Sequence, residues 1–153
     1  RRFQSFAAAD MPFFPGAREG LDALREQGRL LGLATGKSRR GLERMLGEWD
    51  IGHLFHSTRC ADETASKPDP RMLQGILEEC RVAPDEAVLV GDTAFDMEMA
   101  HRAGVPGIAV TYGAHNPERM APWSPLAWAE DFPRVLELLG SRRLDRAAGE
   151  SYN

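Results

Sequence analysis

The stretch AVLVGDTAFD, residues 87–96, is the most informative segment of the chain. Its apolar run predicts a short buried strand that ends at Gly91. Asp92 follows at the end of that strand, and Asp96 comes one turn later, where a helix is expected to begin. Two carboxylates brought to one point suit a divalent cation such as Mg²⁺. A competing interpretation is that Asp92 caps the helix and that Asp96 favours its positive N-terminus.

Strands and helices are predicted to alternate along the rest of the chain. Apolar runs predict strands at residues 30–34, 54–58, 88–91, 107–111 and 126–129, and helical periodicity predicts helices at residues 16–27, 39–49, 70–80, 95–103 and 131–139. This alternation predicts an α/β fold in which helices cover both faces of a mainly parallel sheet. Ligands of such sheets bind at the carboxyl ends of the strands. Thr35, Lys67 and Asp92 are all predicted to lie at that edge.

Two further segments are suited to binding a phosphate group. Thr35 and Gly36 end a predicted strand just before a helix, where a hydroxyl and backbone N–H groups can hold an anion. Lys67 lies in the sequence SKPDP, whose prolines stiffen the backbone that presents its ammonium group. We expect these three residues to bind phosphate. Arg39 and Arg40, by contrast, are interpreted as basic side chains on a solvated helix face.

Together, these motifs resemble the haloacid dehalogenase (HAD) superfamily of hydrolases, and more narrowly its phosphoglycolate-phosphatase-like branch. In that family a Ser or Thr at a strand end binds phosphate, matched by Thr35, and a Lys before a Pro-x-Pro stretch steadies the phosphate and the nucleophile, matched by Lys67. A Gly-Asp-x-x-x-Asp motif that holds Mg²⁺ is matched by residues 91–96, with Asp92 and Asp96 as the metal ligands. The resemblance gives Thr35 and Lys67 catalytic roles.

The resemblance also implies a fold, a cofactor and a reaction. The fold is a three-layer α/β/α, Rossmann-like core over about residues 12–140, and the cofactor is Mg²⁺. The reaction is hydrolysis of a small phosphomonoester through an aspartyl-phosphate intermediate.

One departure from the family pattern limits this prediction. The family's reaction begins with an aspartate in an Asp-x-Asp-Gly segment after the first strand, and the sequence contains no such segment. Asp10 lacks the second acid and the glycine and follows no convincing strand, so we reject it as a substitute. The first strand is therefore expected to be missing. Residues 1–11 are interpreted as a remnant of a cap domain or linker, residues 12–140 as a partial core, and residues 141–153 as a polar tail.

The missing strand has two expected consequences. By analogy with the family it would lie at the centre of the sheet, so we expect an open slot that a second copy or another segment could fill. Loss of a covalent nucleophile costs factors of about a million in other enzymes, so the chain alone is expected to be inactive.

Bulk properties exclude several other classes of protein. A formal net charge of −4 argues against a nucleic-acid-binding protein. No apolar run approaches the ~18 residues of a membrane span. Cys60 and Cys80 are too few for a disulfide framework and indicate thiols in a reducing, cytoplasmic compartment. The expected partner is a small phosphorylated metabolite.

Two functions stay open on the sequence alone. The first is a phosphatase whose nucleophile lies upstream of these residues. The second is a non-catalytic HAD-fold protein that binds phosphate or a partner chain. Within the superfamily, the metal motif argues against a dehalogenase, and a phosphomutase cannot be judged without the cap.

Overall fold

Six strands and six α-helices make up the part of the chain that the computed structural model describes, residues 5–8, 17–111 and 116–139, the first range as backbone only. The strands are β1 (Ser5–Ala8), β2 (Leu30–Thr35), β3 (Ser57–Cys60), β4 (Ala87–Gly91), β5 (Gly107–Val110) and β6 (Ala127–Ala129). The helices are α1 (Ala17–Glu26), α2 (Arg39–Trp49), α3 (Arg71–Cys80), α4 (Ala94–Ala103), α5 (Pro117–Met120) and α6 (Phe132–Leu139).

The strands form one sheet in the order β3-β2-β1-β4-β5-β6, and each neighbouring pair is parallel. A parallel sheet is stable only when both of its faces are covered. Residues of α1, α2 and α6 pack against one face, and residues of α3 and α4 pack against the other. In β4, Val88 and Val90 belong to the first core cluster, while Ala87 and Leu89 belong to the second. The predicted α/β/α fold with a parallel sheet is confirmed.

Most predicted helices follow from local sequence signals that the structure bears out. Ser38 caps α2, because its side chain accepts a hydrogen bond from the backbone N–H of Gly41 at 3.1 Å. Gly28 and Gly104 follow α1 and α4 with φ angles of 82° and 73°, a conformation that glycine adopts without steric cost. The apolar stripe of α3 is buried throughout: Met72, Leu73, Ile76, Leu77 and Cys80.

Two element boundaries differ from the sequence prediction. A turn of 3₁₀-helix over Gly52–Leu54 delays the third strand, which was expected at residues 54–58 and runs from Ser57 to Cys60. Pro70 occupies the N-cap position of α3 instead of its first turn. The short helix α5 was not predicted, although Asn116 and Pro117 carry the usual start signals of an N-cap and a first-turn proline.

The centre of the sheet is the main correction to the sequence analysis. We expected an open slot there, but β1 lies between β2 and β4 and pairs in parallel with both. The physical reason is that β2 and β4 would otherwise expose unpaired backbone groups inside the fold, and the uncharged run Ser5–Ala8 can satisfy them. Residues 5–8 are therefore part of the core's sheet. A second chain could enter this position only if β1 left it.

Several expectations concern residues outside the described ranges. Asp10 and the predicted polar tail at residues 141–153 are among them. Within the described ranges, no helix combines the length and the apolar character that crossing a bilayer requires. Cys60 and Cys80 are both buried free thiols, as predicted.

Candidate active site

The turn between β2 and α2 carries the predicted phosphate-binding residues. Thr35 is the last residue of β2 and is fully buried, whereas Gly36 is exposed. The Thr35 hydroxyl accepts a hydrogen bond from the backbone N–H of Lys37 at 3.0 Å, which fixes the side chain at the end of the strand. The helix that follows is 11 residues long, and its positive N-terminus starts beside this turn. The turn thus combines the buried Thr35 hydroxyl, exposed backbone at Gly36 and a helix N-terminus.

The two predicted metal ligands lie where β4 leads into α4, Asp92 in the turn and Asp96 in the first turn of the helix. Thr93 is the N-cap of α4, and its hydroxyl accepts from the backbone N–H of Asp96 at 3.1 Å. Asp96 completes a capping box, because its Oδ2 accepts from the backbone N–H groups of Asp92 and Thr93, both at 3.2 Å. The competing interpretation of Asp92 as the cap is therefore wrong. Asp96 does stabilise the N-terminus of α4 through Oδ2, but its other carboxylate oxygen makes a second contact.

The second contact of Asp96 is a buried ion pair with Lys67. The Lys67 Nζ lies 2.8 Å from Asp96 Oδ1, with the Lys67 side chain 11% exposed and the Asp96 side chain fully buried. A cis peptide bond joins Lys67 to Pro68. The pair connects the loop before α3 with the first turn of α4. It brings together two residues that are 29 positions apart in the sequence and that were predicted to share a site.

The charge balance of this corner suits a divalent cation. Asp92 and Asp96 are 2% and 0% exposed, and Lys67 supplies a positive charge beside Asp96. Two carboxylates close together repel each other unless a cation or a proton lies between them. Mg²⁺ takes one or two carboxylates and fills its remaining positions with water and phosphate oxygens. Asp92 and Asp96 thus fit Mg²⁺ in donor chemistry.

Gly91 makes room for this arrangement. A Cβ atom added there would lie 2.5 Å from Asp96 Cβ and 2.7 Å from Asp96 Oδ2, closer than real Cβ contacts. Only a residue without a side chain lets the carboxylate of Asp96 sit directly over the strand end. The glycine of the Gly-Asp-x-x-x-Asp motif therefore has a steric role that the spacing alone does not reveal.

The parallel sheet places the two turns at the same edge. Thr35 ends β2, Asp92 follows the end of β4, and these strands flank β1 on either side. Their carboxyl ends point the same way because both pair in parallel with β1. Thr35, Lys67, Asp92 and Asp96 thus meet the expectation of a common edge, with the Lys67–Asp96 pair in direct contact.

Arg39 is the residue that sequence reasoning missed. It was interpreted as a solvated surface residue, but its guanidinium contacts Glu63 at 2.7 and 3.1 Å and the Thr58 hydroxyl at 2.8 Å. The hydrogen bond to Glu63 raises the pKa of Arg39, and the same bond lowers the pKa of Glu63, so both stay charged at neutral pH. The neighbouring Cys60 thiol has its pKa raised to about 11 by burial. No local spacing signal links residues 39 and 63.

Comparison with known proteins shows which family this chain resembles. The sequence model of the haloacid dehalogenase-like hydrolase family matches residues 2–110. A phosphoglycolate phosphatase of Mannheimia succiniciproducens is 32% identical over 127 residues, which is 82% of this chain and 57% of the relative. A protein of Dickeya dadantii named probable phosphatase IndB is 35% identical over 126 residues, covering 80% of this chain and 54% of the relative.

A solved structure shows the same fold. The crystal structure of a predicted phosphoglycolate phosphatase from Haemophilus somnus 129pt superposes with a TM-score of 0.76 at 27% identity, covering 83% of this chain and 57% of that one. The chain spans little more than half the length of these relatives.

Proposed function

The chain belongs to the haloacid dehalogenase-like hydrolase family, and from this premise we propose that it supplies the phosphate-binding and Mg²⁺-binding parts of a phosphomonoester hydrolase. The observation that carries the proposal is the buried Lys67–Asp96 pair at 2.8 Å, beside Asp92. Burying an ammonium–carboxylate pair is expensive for a protein, so such pairs concentrate at functional sites. Relatives named phosphoglycolate phosphatase support the phosphatase class.

Each residue of the site has a proposed task. The Thr35 hydroxyl and the backbone at Gly36 would hold the phosphoryl oxygens at the N-terminus of α2. The Lys67 ammonium would offset negative charge that the phosphate brings to the edge of the sheet, and Asp96 holds that ammonium in place. Asp92 and Asp96 would hold Mg²⁺. When bound, Mg²⁺ would supply electrostatic stabilisation of charge on the phosphoryl oxygens.

The proposed reaction of the whole protein forms an aspartyl phosphate and then hydrolyses it. A carboxylate oxygen would bond to phosphorus while the bond to the ester oxygen breaks, and a second carboxylic acid would give its proton to the leaving alcohol oxygen. Water would then cleave the acyl phosphate to give inorganic phosphate and restore the carboxylate. None of the described residues is assigned the attacking role, and the rejection of Asp10 stays a prediction.

The binding part of the proposal is tested by titrating the chain with inorganic phosphate in the presence of Mg²⁺. We expect Thr35→Ala to weaken binding at least about tenfold, as loss of a hydrogen bond to a charged group does. Arg40→Gln is the control, because Arg40 is exposed and lies on the same helix. Wild-type chain that binds no phosphate, or a Thr35→Ala variant that binds like the control, would contradict the assignment.

A second candidate function is a non-catalytic protein of this fold that binds phosphate or a partner chain. Phosphate release from a panel of small phosphomonoesters, starting with 2-phosphoglycolate, separates the two functions. The chain and the longer reading frame are assayed side by side with Mg²⁺. Turnover by the longer protein alone supports the hydrolase, and phosphate binding without turnover by either protein supports the second function.

The proposed substrate is a small phosphorylated metabolite, and a cytoplasmic location stays a prediction.

A further inference from the structure

The loop that carries Lys67 is fastened to α2 by a group of charged residues outside the proposed site. Arg39, the first residue of α2, holds Glu63 with two parallel bonds, from Nε to Oε2 at 3.1 Å and from Nη2 to Oε1 at 2.7 Å. Its backbone N–H also donates to the two carboxylate oxygens of Asp62, at 3.2 and 3.3 Å. One residue of α2 therefore grips two successive residues of the loop.

The same guanidinium reaches the neighbouring strand. Arg39 Nη1 donates to the Thr58 hydroxyl at 2.8 Å, and Nη2 donates to the Thr58 carbonyl at 3.3 Å. Glu63 is fixed from a second direction, because its Oε1 also accepts from the backbone N–H of Cys60 at 3.0 Å. A bidentate arginine–carboxylate pair with further bonds on both partners is more directional than an isolated surface ion pair.

The position of this network links the two halves of the proposed site. Arg39 begins the helix that follows Thr35 and Gly36, and Glu63 precedes Lys67 by four residues. Residues 64–66, between Glu63 and Lys67, belong to no helix or strand, so their position depends on contacts made at the ends of this segment. At the far end, Lys67 is held by Asp96. At the near end, the described contacts are those of Asp62 and Glu63 with Arg39 and Cys60.

We propose that Arg39 is a positioning residue, which sets the distance between the phosphate-binding turn at Thr35 and the ammonium of Lys67 by pinning residues 62 and 63 to the start of α2. The inference rests on the proposed function, since it assigns Arg39 to the same site. Arg39 acts through the loop and not by contact with phosphate, because its own donors are engaged by Glu63, Thr58 and Glu43. Its effect on phosphate is therefore indirect.

The first test compares phosphate affinity, measured by calorimetry with Mg²⁺, in Arg39→Gln, Arg40→Gln and Glu63→Gln. Arg39→Gln and Arg40→Gln remove the same charge from adjacent positions, so simple electrostatics predicts similar small losses. Positioning predicts a loss of about tenfold for Arg39→Gln and less than about twofold for Arg40→Gln, since partners that orient a binding group commonly matter by that factor.

Glu63→Gln gives a result of opposite sign under the two explanations. Removing a negative charge near an anion site strengthens phosphate binding if charge alone matters. Removing the partner that Arg39 holds weakens phosphate binding if the loop must be positioned. Equal affinities for Arg39→Gln and Arg40→Gln, or tighter binding by Glu63→Gln, would overturn the inference.

The second test needs no phosphate and so separates this inference from the proposed function. Amide hydrogen exchange is followed in the same variants without ligand, because local opening reports local stability. We expect Arg39→Gln to speed exchange at least about tenfold across residues 61–67 and to leave α3 and β4 unchanged. Unchanged exchange in that loop overturns the positioning role. If exchange is faster in folded Arg39→Gln but the wild-type chain binds no phosphate, the proposed function is overturned and the role of Arg39 is limited to ordering the loop.

Discussion

Replacing Lys67 by Met is the perturbation whose cost the structure defines most closely. Asp96 is fully buried, and Lys67 lies 2.8 Å from it with 11% of its side chain exposed. Removing one partner of a buried ion pair costs about 3–5 kcal/mol, because the remaining charge stays buried without compensation. Asp96 Oδ2 keeps two backbone N–H donors, so we expect the lower end, about 3 kcal/mol. For a chain of 153 residues this corresponds to a fall in Tm of about 6–12 °C.

The assay is urea unfolding, followed by tryptophan fluorescence and circular dichroism in EDTA. The chain has two lysines, so Lys37→Met is a matched control, and exposed Lys37 should change the free energy of unfolding by less than about 0.5 kcal/mol. The double variant Lys67→Met/Asp96→Asn removes both charges and should recover at least about 1 kcal/mol relative to Lys67→Met. A loss below about 1 kcal/mol for Lys67→Met, or a double variant less stable than the single, would refute the reasoning.

Three further predictions concern the steric and electrostatic features of the fold. Gly91→Ala should cost about 1–3 kcal/mol of stability and weaken Mg²⁺ binding, because the new Cβ collides with Asp96. Gly47→Ala, at an exposed helix position with nothing within 4 Å, should instead stabilise the protein by about 0.5–1 kcal/mol. In thermal melts with and without Mg²⁺, equal changes in Tm for the two variants would contradict the reasoning. Because Cys60 is fully buried and burial raises its pKa to about 11, a disulfide reagent at pH 8 should leave it unmodified in the folded protein and modify it after unfolding in urea; rapid modification of the folded protein would contradict this. Hydrogen bonds from Ser57 and then Arg59 lower the pKa of Glu79. The contribution of Glu79 to stability is therefore present above the ordinary glutamate pKa and is lost as the pH falls through the lowered pKa. The urea midpoints of wild type and Glu79→Gln should converge in acid, and a difference that widens there would contradict this.

The sequence predicts the parallel sheet and the residues of the candidate site because their signals are local. The buried stripe of α3 follows from helical periodicity, and the Gly-Asp-x-x-x-Asp spacing places Asp92 and Asp96 on one turn. The capping role of Asp96 could also have been predicted from the sequence, since Thr93-x-x-Asp96 has capping-box spacing. What spacing could not show is that Asp96 also pairs with Lys67, because that contact depends on how α3 and α4 pack.

The centre of the sheet is where local reasoning failed. Ser5–Ala8 is four residues long and lies near charged and proline-containing sequence, so it gives a weak strand signal. It pairs with β2 and β4 because the backbone N–H and C=O groups of those strands must be hydrogen-bonded, and not because of its own composition. Arg39 was missed for the same physical reason, since Glu63 lies 24 positions away and its contact exists only after the strands are in register.

The central claim is that Thr35, Lys67, Asp92 and Asp96 form one joint site for phosphate and Mg²⁺. Its most direct test is the Kd for inorganic phosphate, measured by calorimetry in Mg²⁺ and again in EDTA, for wild type and Asp92→Asn. A cation held beside the anion should tighten phosphate binding at least about tenfold in wild type, and Asp92→Asn should lose that gain. Phosphate binding that is absent, or equal in Mg²⁺ and EDTA for both proteins, would contradict the claim.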